Sequence, residues 1–245
     1  MILRLPPAIN LVALDAVDGT NAEARRLAQV GAPHLTLVWA REQLAGRGRR
    51  GRAWASPRGN LYATLLLRPQ VATAVWGQLS FVDAVALRQA LVALLPALEA
   101  GLLLKWPNDL LLDGRKLSGT LLEASGTDWV MIGTGVNLAS HPEGTETPAT
   151  SLAAHGLTLA PEALLPIYAG AQLEWFERWQ TQGFEPVRER WLAHAIGLGG
   201  PVTVRLAGQT LAGRFSALDA SGALLLDQAG AVRRIEAGEV FLPAA

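Results

Sequence analysis

Residues 102–136 carry four strand-length apolar runs in close succession: Leu102–Lys105, Leu110–Leu112, Lys116–Ala124 and Trp129–Val136. Turn signals fill the gaps, at Pro107-Asn108, Asp113-Gly114 and Ser125-Gly126. Asp113-Gly114 between two apolar runs predicts a tight hairpin, because both residue types tolerate the positive φ angles such a turn requires. A chain with this block near its centre has to build a sheet, and the remaining elements must cover it.

The flanking segments change period. Leu11–Leu14 and Leu35–Ala40 have strand length, and Leu61–Leu67 is a Leu/Thr-rich strand. Asn21–Val30 reads as a helix, with Thr20 or Asn21 as its N-cap. Trp76–Leu95 has apolar residues at helical spacing up to Pro96, which predicts a long, mostly buried helix. His141–Thr150 is a polar Pro/Gly/Thr loop. Pro161–Gln180 reads as a second long helix with Pro161 in its first turn, and Glu185–Ala195 as a shorter third.

Gly197–Gly200 before Pro201 reads as a linker. Beyond it come short strand-like runs, Pro201–Leu206, Gln209–Leu218, Ala223–Asp227 and Ala231–Ile235. They are divided by Ala207-Gly208, Asp219–Gly222 and Ala229-Gly230. Four or five strands in so short a tail suggest a small barrel, which lacks the size for a comfortable core of its own and should pack on what precedes it. The expected division is residues 1–197 and 198–245.

Half of the 245 residues are apolar and 17% are charged, which describes a globular chain. Lys+Arg and Asp+Glu are both 21, so no global field draws the chain to nucleic acid or membrane, and anion recognition has to be local. Without cysteine there are no disulfides, thiolate metal sites or thiol nucleophiles. The N-terminus lacks the features of a signal peptide, and no apolar run reaches the roughly 20 residues that span a bilayer. The cytoplasm is the expected location.

Three constellations carry chemistry. The run Gln43–Tyr62 holds five arginines (Arg47, Arg49, Arg50, Arg52, Arg58) and four glycines (Gly46, Gly48, Gly51, Gly59). Forked cationic donors on a pliable backbone suit carboxylates and phosphates. A solvated basic loop is the alternative, although Trp54 and Ser56-Pro57 lead the run straight into a buried-looking strand. Next comes Lys105-Trp106-Pro107-Asn108-Asp109 with Lys116-Leu117-Ser118-Gly119. Asp109 and Lys116 facing each other across a hairpin form either a cross-strand ion pair or part of a Mg²⁺-phosphate site. Spacing does not choose between them. The third is Gly133-Thr134-Gly135-Val136-Asn137 at a strand end, which by itself is as compatible with close packing as with a ligand. Neither a phosphate-binding P-loop nor a dinucleotide fingerprint occurs. The four histidines show no metal-ligand spacing. Most tryptophans fall on core stripes, and Trp54 and Trp106 are the two placed to line a ligand.

In order and spacing, these pieces resemble the biotin protein ligases. The matching residues are G-R-G-R-R-G-R-x-W with S-P-x-G-N-L-Y, K-W-P-N-D-L with G-R-K-L-S-G, and G-x-G-V-N. Asp18-Gly19-Thr20-Asn21 is similar to the family's D-S-T-N, and Gly222–Leu226 to its C-terminal G-A-L-L turn. The resemblance implies an α+β fold: a mixed β-sheet flanked by helices, related to class II aminoacyl-tRNA synthetases, plus an SH3-like β-barrel. It also implies a two-step ligase. ATP and biotin give biotinyl-5′-AMP, and the biotinyl group then passes to one lysine of a biotin carboxyl carrier protein.

By motif match, Arg47 and Arg49 cover carboxylate and phosphate as the glycine loop closes, and Lys116 sits on the reacting oxygens. Asn108 and Asp109 hold Mg²⁺-ATP, with Asp109 as the metal-binding carboxylate. Thr20, Asn21, Gln43, Gly46, Gly119 and Gly133 surround biotin's ureido ring. Arg52, Trp54 and Gly135 complete the ligand-binding set, and Asn137 lies near the nucleotide. The Gln43–Arg58 loop is expected to be mobile without ligand and ordered with it.

Gly19 departs from the family pattern by lacking the serine hydroxyl expected to bond the ureido group. The stretch before Asp18 is too short for the helix-turn-helix of ligases that double as repressors, so a monofunctional enzyme without DNA binding is expected. Whether it forms a homodimer stays open. A lipoate ligase would share the fold, but the G-R-G-R-R-G-R loop points to biotin. A nucleic-acid-binding protein would leave K-W-P-N-D and G-x-G-V-N without a role.

Overall fold

The computed structural model describes residues 3–242. Seven strands form the larger sheet: β1 (Asn10–Leu14), β2 (Thr36–Ala40), β3 (Leu61–Leu67), β4 (Leu102–Lys105), β5 (Asp109–Leu112), β6 (Arg115–Ser125) and β7 (Trp129–Val136). Their order is β1-β2-β3-β7-β6-β5-β4. β1 runs parallel to β2 and every other pairing is antiparallel, so the sheet is mixed. The hairpin at Asp113-Gly114 forms as the sequence predicts, with φ of 48° and 76° at the two turn positions.

Strands such as β3, buried at every position, need cover on both faces. Helix α1 (Thr20–Gln29) supplies one side, setting Ala24 and Ala28 against Val38, Leu66 and Met131. Helices α2 (Leu79–Leu94), α3 (Pro161–Gln182) and α4 (Glu185–Leu192) supply the other, joining Leu37, Leu65, Val130 and Ile132 in the main core.

Several predicted boundaries move. Gly19, in extended backbone, caps α1 in place of Thr20 or Asn21, because the Thr20 hydroxyl bonds Gln43 and leaves the helix end alone. The predicted helix from Trp76 splits into a 3₁₀ turn, Thr73–Gln78, and then α2. The stretch Thr73–Leu94 is long and apolar enough by composition to cross a membrane, which corrects the expectation that no such run exists. Here it lies largely buried inside the fold. Helix α4 stops before Ala195 because the edge strand β4 captures the chain: Leu104 N–H donates to His194 O, and Ile196 N–H to Leu104 O.

The C-terminal sheet contains β8 (Pro201–Arg205), β9 (Thr210–Leu218), β10 (Leu224–Gln228), β11 (Ala231–Ile235) and β12 (Glu239–Phe241), ordered β11-β10-β9-β8-β12. Among the described residues no ladder joins β11 to β12, so the sheet is open where a closed barrel was expected. The predicted Gly197–Gly200 linker is pinned rather than free. Gly199 N–H donates to Phe215 O at 2.7 Å, and Phe215 N–H to Gly200 O at 3.0 Å.

The two sheets share one hydrophobic core. Phe81 of α2 stands edge-on to Phe184 and Trp191, with ring centroids 5.4 Å away in each case, and Trp191 faces Phe215 of β9. The Trp106 indole N–H donates to Gly222 O at 3.0 Å. On the outside, Arg52 of the glycine/arginine loop bonds both oxygens of Glu239 on β12, at 2.9 and 2.7 Å. Arg50 is 3.7 Å from the same carboxylate. These arginines, with Lys105, hold Glu239 down at about 2 despite partial burial.

A depressed carboxyl stabilises the fold fully above its unfolded pKa and loses that contribution as pH falls towards its folded value. Glu239→Gln should therefore cost about 1 kcal/mol near neutral pH, and the difference from wild type should shrink as pH falls from about 5 towards 2. Urea titrations across that range check it. Tryptic cleavage within Arg47–Arg52 should also run about fivefold faster in the variant, and an equal rate would show that the contact does not hold the loop.

Candidate active site

On one face the β6–β7 ladder is nearly bare. Gly119 pairs with Gly135, and Gly133 pairs with Leu121 two residues further along β6. A cavity of about 380 Å³ opens over this face, within the size range of small-molecule sites. The glycines are there because neighbours come too close for a side chain. A Cβ on Gly133 would sit 1.9 Å from Asn21 Oδ1, and one on Gly135 would sit 2.5 Å from Trp54 Nε1. A Cβ on Gly119 would press on Lys116 Cε at 3.1 Å, and one on Gly46 would strike Ser56 Oγ at 2.5 Å.

A relay of neutral hydrogen bonds ties the loop's inner end to the first helix. Gln43 Oε1 accepts from the Thr20 N–H at 2.8 Å and the Thr20 hydroxyl at 3.1 Å. Gln43 Nε2 donates to Ser56 Oγ, which donates to Trp54 O, each at 2.8 Å. Thr64 Oγ1 lies 2.8 Å from Thr20 Oγ1 and 2.6 Å from Asn21 Oδ1. Asn21 Nδ2 in turn donates to Glu123 Oε2, and Arg25 pairs with the other Glu123 oxygen. Gln43, expected on the ligand, has both ends of its amide committed within the protein.

The charged groups converge opposite. Arg47 lines the cavity with no carboxylate partner among the described residues. Arg49 Nη1 donates to Asn108 Oδ1 at 2.9 Å, and burial pushes its guanidinium below the usual arginine range. Arg52 reaches the cavity rim but is held by Glu239. Asp109 does not face Lys116 across the hairpin as the sequence suggested. The register pairs Asp109 with Gly119 and Leu111 with Lys116, with a bulge at Leu110/Leu111, and the lysine reaches back to Asp109. Its Nζ forms an ion pair with Asp109 Oδ1 at 2.6 Å, so the ion pair that the sequence allowed is made, by a lysine offset along the strand. The same Nζ lies 5.5 Å from the Trp54 ring centroid.

Asn108 Nδ2 donates to Thr120 O at 2.7 Å. Asn137 is buried, donates Nδ2 to Thr150 O at 3.0 Å and leaves Oδ1 without a partner at the cavity edge. The Lys116 backbone N–H bonds Pro148 O and its carbonyl accepts from Thr150, which brings the 141–150 loop to the rim. Trp106 is 2% exposed and spends its N–H on Gly222, so it is anchored in the core while also lining the cavity.

Lys105, read in the sequence beside Asn108 and Asp109, is buried next to Asp109, and desolvation lowers its amine below the lysine norm while Asp109 opposes the shift. Sequence reasoning missed three participants. Glu239 and Glu146 neutralise the loop's outer arginines from distant segments. Asp83 lies behind the sheet. It alone carried a signal, as the only acid of its helix, set in the apolar run Phe81–Leu87.

With the arginine-paired Asp18, Glu123, Glu146 and Glu239 set aside, two lysines, two inward arginines and Asp109 around a bare backbone floor suit a small ligand bearing several anionic oxygens. Among the described residues no cluster of three or more metal-binding side chains occurs. Asp109, the carboxylate between the two lysines, suits Mg²⁺ only as a single protein ligand; that ion is commonly held by one or two carboxylates alongside phosphate oxygens.

Residues 17–137 match the model of the biotin/lipoate A/B protein ligase family, and residues 197–242 match the biotin protein ligase C-terminal domain. The chain is 44% identical to the biotin–acetyl-CoA-carboxylase ligase of Paracoccus denitrificans over 239 residues, covering 93% of this chain and 98% of that one. Among solved structures it is similar to the biotin protein ligase of Aquifex aeolicus in complex with biotin and ATP. That match has a TM-score of 0.82 and 28% identity, and covers 96% of this chain and 99% of the other. The Leishmania major biotin protein ligase in complex with biotinyl-5-AMP superposes with a TM-score of 0.68 at 27% identity, covering 95% and 100% of the two chains. A glycine-floored, cation-lined cavity in a fold shared end to end with these proteins places the chain in the biotin protein ligase family.

Proposed function

We propose that the chain activates biotin as biotinyl-5′-AMP and transfers the biotinyl group to one lysine of a biotin carboxyl carrier protein. The observation that carries this reading is the convergence of Arg47, Arg49, Lys105 and Lys116 on one cavity whose floor is the Gly119/Gly133/Gly135 backbone. Residues 1–197 form the biotin- and ATP-binding unit, and residues 198–245 form the appended one, whose Glu239 holds the arginine loop.

In the first step a biotin carboxylate oxygen attacks the α-phosphorus of ATP, a P–O bond forms, and pyrophosphate leaves with the electrons of the bond that breaks. Negative charge gathers between two anionic reactants, so the protein's work is positioning and charge stabilisation. Lys116 meets the carboxylate and α-phosphate oxygens, and Arg47 and Arg49 cover them from the loop. Asp109, with Asn108 beside it, would hold Mg²⁺ through the nucleotide's phosphates, where the ion neutralises phosphate charge. Asn21, Gly46, Gly119 and Gly133 shape the biotin side, with Thr20 and Gln43 fixing that wall. Trp54, Gly135 and Asn137 lie towards the nucleotide. In the second step the carrier lysine's amine attacks the acyl carbon, an amide forms, and AMP departs.

Labelled biotin, ATP, Mg²⁺ and a purified carrier domain test the reading directly. Label should appear on one carrier lysine, and adenylation of lipoate in place of biotin would overturn it. Lys116→Ala should lower the rate of biotin-dependent pyrophosphate release about 10²- to 10³-fold and change the biotin Kd by less than about threefold. Near-normal release would remove Lys116 from its role.

Gly19 gives a second prediction. Its backbone is extended, and a Cβ there would meet nothing closer than 3.8 Å, so a serine fits without strain. Gly19→Ser should tighten biotin binding about threefold to tenfold by adding one hydrogen bond, as measured by calorimetry. Unchanged or weaker binding would show that the missing hydroxyl is not a ligand contact.

A further inference from the structure

Asp83 lies in the middle of α2 and is fully buried, and its carboxylate collects four donors. At Oδ2 it accepts from the hydroxyls of Thr120 at 2.5 Å and Thr134 at 2.9 Å. At Oδ1 it accepts from Gln172 Nε2 at 2.7 Å and from the Tyr168 hydroxyl. Tyr168 also touches Thr134 Oγ1, and Gln172 touches the Tyr168 oxygen, each at 2.7 Å. An apolar residue would fill this position at no desolvation cost, whereas a buried carboxyl is tolerated only when fully bonded.

Thr120 and Thr134 are register partners on β6 and β7. Their rung lies between the Gly119–Gly135 rung and the Leu121–Gly133 rung, and their side chains leave the opposite face of the sheet. Strands rich in glycine have little of their own to fix pleat and position. On the site face these two strands have no side chain at Gly119, Gly133 or Gly135 to hold them. Asp83 ties both strands together from behind at the rung between those glycines. Thr120 continues the connection. Its N–H donates to Asn108 O at 3.0 Å, its carbonyl accepts from Asn108 Nδ2, and Asn108 Oδ1 holds Arg49.

Resting on the ligase reading, we propose that Asp83 is a positioning residue that sets the height and register of the biotin-facing β6–β7 backbone through Thr120 and Thr134. A residue needed only for folding lowers the active fraction, and therefore kcat, and leaves the biotin KM unchanged. A residue that places the floor moves the biotin KM.

The test measures pyrophosphate release with biotin and ATP varied separately. Asp83→Leu should raise the biotin KM about tenfold and the ATP KM by a smaller factor, the latter through the Thr120–Asn108 link. Thr120→Val and Thr134→Val should each raise the biotin KM about threefold. Asp83→Asn should stay within about threefold of wild type. Its oxygen can serve both threonines, and Gln172, whose Oε1 has no partner, can turn its amide to accept from the new Nδ2.

A folded Asp83→Leu with an unchanged biotin KM and a lower kcat overturns the inference. Should that variant fail to fold, the two threonine variants decide, and unchanged biotin KM in both overturns it. A wild-type protein without biotin-dependent release overturns the ligase reading itself and takes this inference with it.

Discussion

The β6–β7 ladder is the part on which both sides of the molecule rest. Val130, Ile132 and Val136 of β7 point into the main core beneath α2 and α3. The opposite face is stripped to backbone where it meets the cavity. One strand pair thus has to anchor a dense core and offer a featureless floor, and period-two alternation is what makes both possible at once. Asn21 and Trp54 then come in over the glycines to a distance no Cβ would allow. The walls are built by side chains that arrive from elsewhere in the chain.

Charge is arranged with the same economy. The chain is neutral overall, yet the outer arginines of this region are each met by an acid: Arg26 by Asp18, Arg58 by Asp15, Arg25 by Glu123, and Arg50 and Arg52 by Glu239. The Arg26 guanidinium, helped by the Gly19 N–H, holds Asp18 at about 2. Once those are paired, the cations facing the cavity are Arg47, Arg49, Lys105 and Lys116, with Asp109 as the single carboxylate between the lysines. The field is local because the surroundings are neutralised, which is how a protein of zero net charge concentrates positive potential in one cleft.

Much of this was legible in the sequence, for specific reasons. Strand periodicity and Asp113-Gly114 gave the central meander because both signals are local in the chain. The site motifs pointed to residues that the fold does bring together, since Arg49, Asn108, Asp109 and Lys116 line one cavity. What stayed hidden depends on distance or on competition. Nothing local links Arg52 to Glu239, 187 positions away. Thr20 looked like a helix cap, but Gln43 outcompetes the helix end for its hydroxyl. The final sheet has barrel-like strand lengths, but closure depends on whether β11 meets β12, and strand length does not encode that pairing. Asp83 was visible as a lone acid among apolar residues. Its four partners come from β6, β7 and α3, so only the folded chain gives it meaning.

The two anchors of the arginine loop differ in physical kind, and this decides how the loop can open. At its inner end Gln43, Ser56 and the Trp54 carbonyl form a neutral relay that excludes charge and is largely shielded from solvent. At its outer end Arg52 and Glu239 form an ion pair with the arginine about half exposed. Salt and low pH weaken the second and leave the first nearly untouched. The loop is therefore held by two ties that respond differently to salt and pH, and a segment already fixed in place loses less conformational freedom on meeting a ligand than a free one. Arg47 and Arg49 lie between these two anchors, and Arg49 has a third tie of its own to Asn108 Oδ1 on the cavity side.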